Sequence, residues 1–220
     1  MMTVFLDSLR QVADLGGPVV MILIVVSVVT LATVLYKLWQ FAIAGVGRHR
    51  ALADAVAAWD ADDRARAQAA LRRSTSYLAP VVEMAFKAGD DDVERLRAEA
   101  ETRFARLETG FRYLDSVAQL APLLGLFGTV LGMIEAFRAL QAAGSQVDPS
   151  LLAGGIWVAL MTTAVGLAVA MPSSLVLSWF EARMDAERVT AERAITTILH
   201  PSGRRRIVDE PAGSGAPGHA

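Results

Sequence analysis

Leu120-Ala-Pro-Leu-Leu-Gly-Leu-Phe-Gly-Thr-Val-Leu-Gly-Met-Ile-Glu-Ala-Phe-Arg138 and Gly154-Gly-Ile-Trp-Val-Ala-Leu-Met-Thr-Thr-Ala-Val-Gly-Leu-Ala-Val-Ala-Met-Pro172 together decide the fold. About 20 apolar residues rising about 1.5 Å each cover a hydrocarbon core of about 30 Å, so each stretch is long enough to cross a bilayer as a helix. Small residues recur at helical spacing in both. They are Gly125, Thr129, Gly132 and Ala136 in the first, and Gly155, Ala159, Thr162, Gly166 and Ala170 in the second. Such spacing lets helix backbones approach closely and puts hydroxyls on the packing face. Gly125, Gly128, Gly132, Gly155 and Gly166 are the expected packing positions, and Pro122 and Pro172 the expected kinks, whose freed carbonyls are tolerated inside a bundle.

Outward from these stretches, the same reading extends to the whole chain. Of its 220 residues 54 % are hydrophobic and 20 % charged, and the apolar ones concentrate in three long runs. The first run, Val19 to Phe41, follows Gly16-Gly17-Pro18 and ends in Tyr36-Lys37-Leu38-Trp39, the aromatic and basic anchors of a membrane interface. The segment before it carries one arginine and two aspartates, unlike the basic start of a signal peptide, so the run reads as a retained span. Residues 1–17 place Phe5, Leu9 and Val12 on one helical face, either a surface helix or a frayed terminus.

The fold class is therefore an all-α membrane protein with three transmembrane helices and long cytoplasmic helical extensions. Spans are expected at 18–41, 114–140 and 151–180, a cytoplasmic helical region at 42–113, and a short loop on the outer side at 141–150. A cytoplasmic helix at 181–199 and a disordered tail at 200–220 complete the chain. Ala51 to Leu71 is alanine-rich and helix-prone, and Tyr77 to Ala88 is a second helical segment. Asp90-Asp91-Asp92 supplies an N-cap and an acidic first turn. From there Val93, Leu96, Ala100, Phe104, Leu107, Phe111, Leu114 and Ala118 repeat at three or four, which predicts one helix running into the second span. The alternative is a break at Gly110.

Basic residues orient the spans. The segment Lys37–Tyr113 holds 13 Lys or Arg and the C-terminal segment six, against Arg10 alone before the first span and Arg138 at the short loop. Basic loops mark the cytoplasm, so the N-terminus is expected outside and the C-terminus inside.

Several chemistries are excluded. With no cysteine and three scattered histidines (His49, His200 and His219), no metal site is expected, and no cofactor. A net charge of −2 gives no basic surplus for nucleic acid. No GxxxxGK[ST] loop, serine elbow or HExxH is present, so no enzyme is expected. If Ser116 and Leu151 open their spans, Thr129 lies about 20 Å and Thr163 about 12 Å from the inner face. The membrane interior there holds hydroxyls but no acid, lysine or histidine. Either the protein moves no protons or a partner brings the acid. The threonines have a structural alternative, bonding their own helix carbonyls or a neighbour.

Gly125-Leu-Phe-Gly-Thr-Val-Leu-Gly132 followed by Ala136-Phe137 resembles the second-span motif of the ExbB/TolQ/MotA proton-channel family. Gly155-Ile156, Ala159 to Leu167 and Ala170-Met-Pro172 resemble its third-span motif. Four-span MotA-type stators fit less well than the three-span ExbB/TolQ branch. The resemblance implies a homopentamer around a pore holding an ExbD/TolR-like single-span partner, whose membrane aspartate supplies the acid. It also implies a TonB/TolA-like transmission protein driven by the proton-motive force. Thr129 and Thr163 would be pore-facing hydroxyls, while Thr162 stands where the family more often has a small residue. Many ExbB relatives carry glutamate two residues after the Gly-Ile pair, where this chain has Val158. That points to a branch using only the partner's acid, to altered coupling, or to a substituted position. Iron uptake, envelope maintenance and surface motility share such a motor. A membrane scaffold using the small-residue faces for assembly alone is the competing reading.

Overall fold

The computed structural model describes residues 2–142 and 149–202. The expected short loop therefore lies almost wholly, and the tail beyond Ser202 entirely, outside the described residues. Among the described residues there is no strand. The helices are α1 (Met2–Ala44), α2 (Arg50–Asp60), α3 (Arg64–Arg72), α4 (Ala79–Ala85), α5 (Val93–Glu108), α6 (Phe111–Ala142) and α7 (Pro149–Leu199), with a 3-10 turn at Asp90–Asp92 before α5. Three candidate spans, Gly17–Ala44, Phe111–Ala142 and within Leu152–Leu199, are long and apolar enough to cross a membrane. The protein is thus an all-α, multi-pass membrane protein.

Two compact units make up the fold. One is Met1–Lys37 with Gly110–Glu181, the other Leu38–Thr109 with the chain from Ala182 onward. In the first, α1 breaks at Gly17, whose φ of 66° suits a residue without Cβ. Pro18 follows at little cost, because it has no N–H to lose at the start of a helix. Val19 and Leu23 of α1, Val117 and Ala121 of α6 and Ala170 of α7 then form the core. Phe111 stacks on Phe180 at 5.6 Å between ring centroids. Much of the apolar surface still faces outward, with Val25, Leu31, Trp157 and Leu175 all exposed. A water-soluble monomer rarely exposes so much apolar surface; spans facing lipid or other helices do.

One long helix from Asp92 into the second span is not what forms. Thr109 is extended (φ −52°, ψ 123°) and Gly110 has φ 96°, separating α5 from α6. Gly110 also lies against Lys37, whose Cε would be 3.4 Å from a Cβ there. A glycine satisfies both the left-handed backbone and the close approach. The apolar stripe hid this break because Leu107, Phe111 and Leu114 are all buried on either side of it.

The second unit is a small helical assembly of α2 to α5 and the final turns of α7. The alanine-rich stretch is two helices, since Asp62 takes φ 62° between α2 and α3. Asp63 then caps α3 by accepting the Arg66 N–H at 3.0 Å. The aspartate triplet behaves differently from the expected acidic helix start. It forms the 3-10 turn, and Asp92, at the N-cap of α5, accepts from the Gly89 N–H at 3.2 Å behind it. Leu96, Ala100, Phe104 and Leu107 are the buried face of α5.

Candidate functional site

In the first unit α6 and α7 run antiparallel and meet along a seam of small residues. A Cβ on Gly166 would sit 2.6 Å from the Ala121 carbonyl oxygen, and one on Gly125 3.0 Å from the Thr163 Cα. A Cβ on Gly128 would be 2.8 Å from Thr162 Oγ1, and one on Gly132 3.2 Å from the Ala159 Cβ. At the far end a Cβ on Gly155 would overlap that of Ala136. All five glycines thus stand where a methyl group would crowd the opposite helix, most severely at Gly155, Gly166 and Gly128, the close approach on which membrane helix packing depends. Pro122 and Pro172 lie inside helices that continue past them.

Thr129 does not share this seam. The α6 face that meets α7 follows Ala121, Gly125, Gly128, Gly132 and Ala136. Thr129 is one residue off it, half-buried, with its hydroxyl donating to the Leu126 carbonyl at 2.6 Å. Thr162 lies within the seam, 2 % exposed, and its Oγ1 donates to the Ala159 carbonyl at 2.7 Å beside the Gly125 carbonyl at 3.3 Å. That use of Ala159 has a consequence for Thr163. A helical threonine commonly bonds the carbonyl four residues back, which for Thr163 is Ala159. The Thr163 Oγ1 is buried and has no hydrogen-bond partner among the described residues. Thr129 and Thr163 are therefore not bonded to each other. Val158 is half-buried beside Ala159.

The second unit holds a polar cluster that the sequence reading did not single out. Glu187 of α7 is 2 % exposed. Its Oε1 accepts the Gly47 N–H at 2.9 Å, and its Oε2 accepts the Tyr77 hydroxyl at 2.9 Å and pairs with His49 Nε2 at 2.7 Å. Arg183 stands 3.7 Å away on the preceding turn, and His49 Nδ1 meets Ser76 Oγ at 3.2 Å. Burial pushes the Glu187 carboxyl up, but the bonds from His49 and Tyr77 and the charges of His49 and Arg183 outweigh it, holding it below the usual glutamate range. Burial and the Glu187 charge push the Tyr77 phenol up. One signal could have found this site. Leu177, Phe180, Met184, Ala191, Ala194 and Ile198 are buried at alternating steps of three and four, and Glu187 occupies the same stripe. A carboxylate in an apolar stripe requires partners. Among the described residues no three His, Asp or Glu side chains are grouped to hold a metal ion.

The fold thus defines a three-span helical membrane protein whose second and third spans pack along a glycine-lined seam. The profile of the MotA/TolQ/ExbB proton channel family matches residues 60–193, and the chain belongs to that family. It is similar to biopolymer transport protein exbB1 of Vibrio cholerae, 44 % identical over 68 residues, 31 % of this chain and 30 % of that protein. Against the Tol-Pal system protein TolQ of Haemophilus influenzae it is 39 % identical over 97 residues, 43 % of this chain and 42 % of the relative. With biopolymer transport protein ExbB of Salmonella typhimurium the identity is 30 % over 125 residues, 53 % and 51 % of the two chains. The matched stretches span about a third to a half of these relatives' lengths.

Proposed function

We propose that the chain is the multi-span subunit of a proton-driven motor in a bacterial inner membrane, of the ExbB/TolQ kind. It assembles as a homopentamer around a single-span ExbD/TolR-like partner and energises a TonB/TolA-like transmission protein. The N-terminus faces the periplasm, and the second unit and C-terminus face the cytoplasm. Thr129 and Thr163 line the proton route, Thr162 locks the seam, and Val158 leaves the partner's aspartate as the acid at that depth.

The observation that carries this reading is Thr163 Oγ1. A buried hydroxyl left without a partner costs about 1–3 kcal/mol, so turning the half-buried Thr163 side chain to offer its hydroxyl to a group outside the chain would give up no bond within it. The surrounding spans favour an acid on a partner helix, because residues 120–134 and 151–180 contain no Asp, Glu, Lys, Arg or His. The seam glycines support a rigid α6–α7 pair that keeps this hydroxyl in register. Relatives named for both biopolymer transport and the Tol-Pal system support the two assignments equally.

The test is proton flux into vesicles carrying the native complex. Thr163→Val and Thr129→Val together should reduce flux to the leak of empty vesicles while the complex still assembles. Unchanged flux in an assembled complex would favour a scaffold whose small-residue faces serve packing alone.

A further inference from the structure

A groove of about 680 Å³ opens between α3 and α4 in the second unit. Its apolar side is Leu71, Trp59 and Phe86, the two rings stacked 4.0 Å apart and 3° from parallel. Arg64, Arg72 and Lys87 give it cationic edges. Arg64 lies over Trp59 with its guanidinium carbon 3.6 Å from the ring centroid. Arg72 is exposed and makes no ion pair among the described residues, and Glu83 is the groove's one carboxylate, already paired with Lys87 at 3.0 Å.

The chain itself is delivered to the mouth of this groove. Trp59 Nε1 donates to the Ile198 carbonyl at 3.0 Å. Ser202 is held twice by Asp60, through its N–H at 2.6 Å and its hydroxyl at 3.1 Å. Residues 203–220 continue from that point as Gly203-Arg204-Arg205-Arg206-Ile207-Val208-Asp209-Glu210-Pro211 and a Gly/Ala/Pro-rich end. The order of charge along this segment complements what lies along α3. In sequence three arginines come first, then two apolar residues, then two acids, while α3 is preceded by Asp60, Asp62 and Asp63 and ends in Leu71 and Arg72. From Ser202 to Asp209 an extended chain reaches about 23 Å, while α3 from Arg64 to Arg72 is about 12 Å long, so the span is available without strain.

We propose that the groove is the docking site of the chain's own C-terminal segment, with Ile207 and Val208 on its apolar side and Asp209 and Glu210 against its arginines. This assignment does not depend on the proton-motor reading.

The absence of cysteine makes the test direct. Val208→Cys is combined in the full-length, membrane-extracted protein with Gln68→Cys in the groove, or with Ala53→Cys on α2. Ala53 is exposed, does not line the groove, and lies only about 10 Å along α2 from Asp60, so a loose segment would reach it too. Oxidation should link residues 208 and 68 within one chain roughly tenfold faster than residues 208 and 53, the gain expected from a held segment. Reversing both acids (Asp209→Lys, Glu210→Lys) should cut that rate about threefold or more, and raised salt should act the same way. Adding Arg72→Glu to the reversed tail should recover part of it. Equal rates at the two positions, indifference to charge reversal, or links forming only between mixed single-cysteine chains would each overturn the proposal.

Discussion

Exchanging one methyl group across the α6–α7 seam separates packing from every other role of these spans. In Gly155→Ala the new Cβ overlaps that of Ala136. Non-bonded carbons are most stable about 3.5–4.0 Å apart, so the two helices must part by roughly 1 Å at this level. Overpacking of this kind costs about 1–3 kcal/mol. The loss spreads, because Gly132 opposite Ala159 depends on the same approach. Adding Ala136→Gly removes the overlapping carbon. The nearest remaining atoms are then the residue 136 Cα at 3.3 Å and the Gly132 carbonyl at 3.7 Å, tight by only a few tenths of an ångström. The exchange also keeps one alanine and one glycine at the two sites, so intrinsic helix propensity nearly cancels. Equilibrium unfolding in micelles, followed by steric trapping, should give a loss of about 1–3 kcal/mol for Gly155→Ala and recovery of most of it in the double variant. If Gly155→Ala matched the wild type, or the exchange rescued nothing, the seam argument would be wrong.

The two adjacent threonines should respond in opposite directions. Thr162→Val removes the bond to the Ala159 carbonyl and should cost about 1 kcal/mol in the same unfolding assay, whereas Thr163→Val removes an unpartnered hydroxyl and should leave stability unchanged or raise it by about 1 kcal/mol while abolishing flux. Glu187→Gln keeps the shape but not the charge beside His49 and Arg183, and should destabilise the second unit by about 1–3 kcal/mol in thermal unfolding followed by circular dichroism. Glu187 also sets an acid limit. Its folded pKa is depressed below the ordinary value of about 4.3, so its contribution is complete above that value and is lost as pH falls through the lower folded one. The wild type should lose stability in that acid window, and Glu187→Gln should flatten the loss; equal acid sensitivity of the two proteins would count against this role.

How far the sequence could be read depended on whether a feature was local. The spans were legible because an apolar run's length is set by the bilayer, and the glycines because small residues at helical spacing have few other uses. The exact face was not legible. From Gly125 a step of three reaches Gly128 and a step of four reaches Thr129, and only the crossing with α7 selects Gly128. The break at Gly110 was hidden because the apolar spacing in the sequence continues past it, and the break at Asp62 because alanine favours helix on both sides. The Glu187 cluster draws on Gly47, His49, Tyr77 and Arg183, which are separated by up to 140 residues in the case of Gly47. Its one local trace was the carboxylate in a buried stripe. The Thr163 hydroxyl was placed by depth alone, and its lack of a partner emerged only once Thr162 was seen to occupy the carbonyl it would otherwise use.

The central claim is that the acid missing from these spans is brought by a second protein. Native mass spectrometry of the complex, gently extracted from its own membrane, measures this most directly. Five copies of this chain should appear with a small single-span protein whose membrane helix carries an aspartate. An oligomer that contains no such partner would contradict the account and leave Thr129 and Thr163 as packing residues of a scaffold.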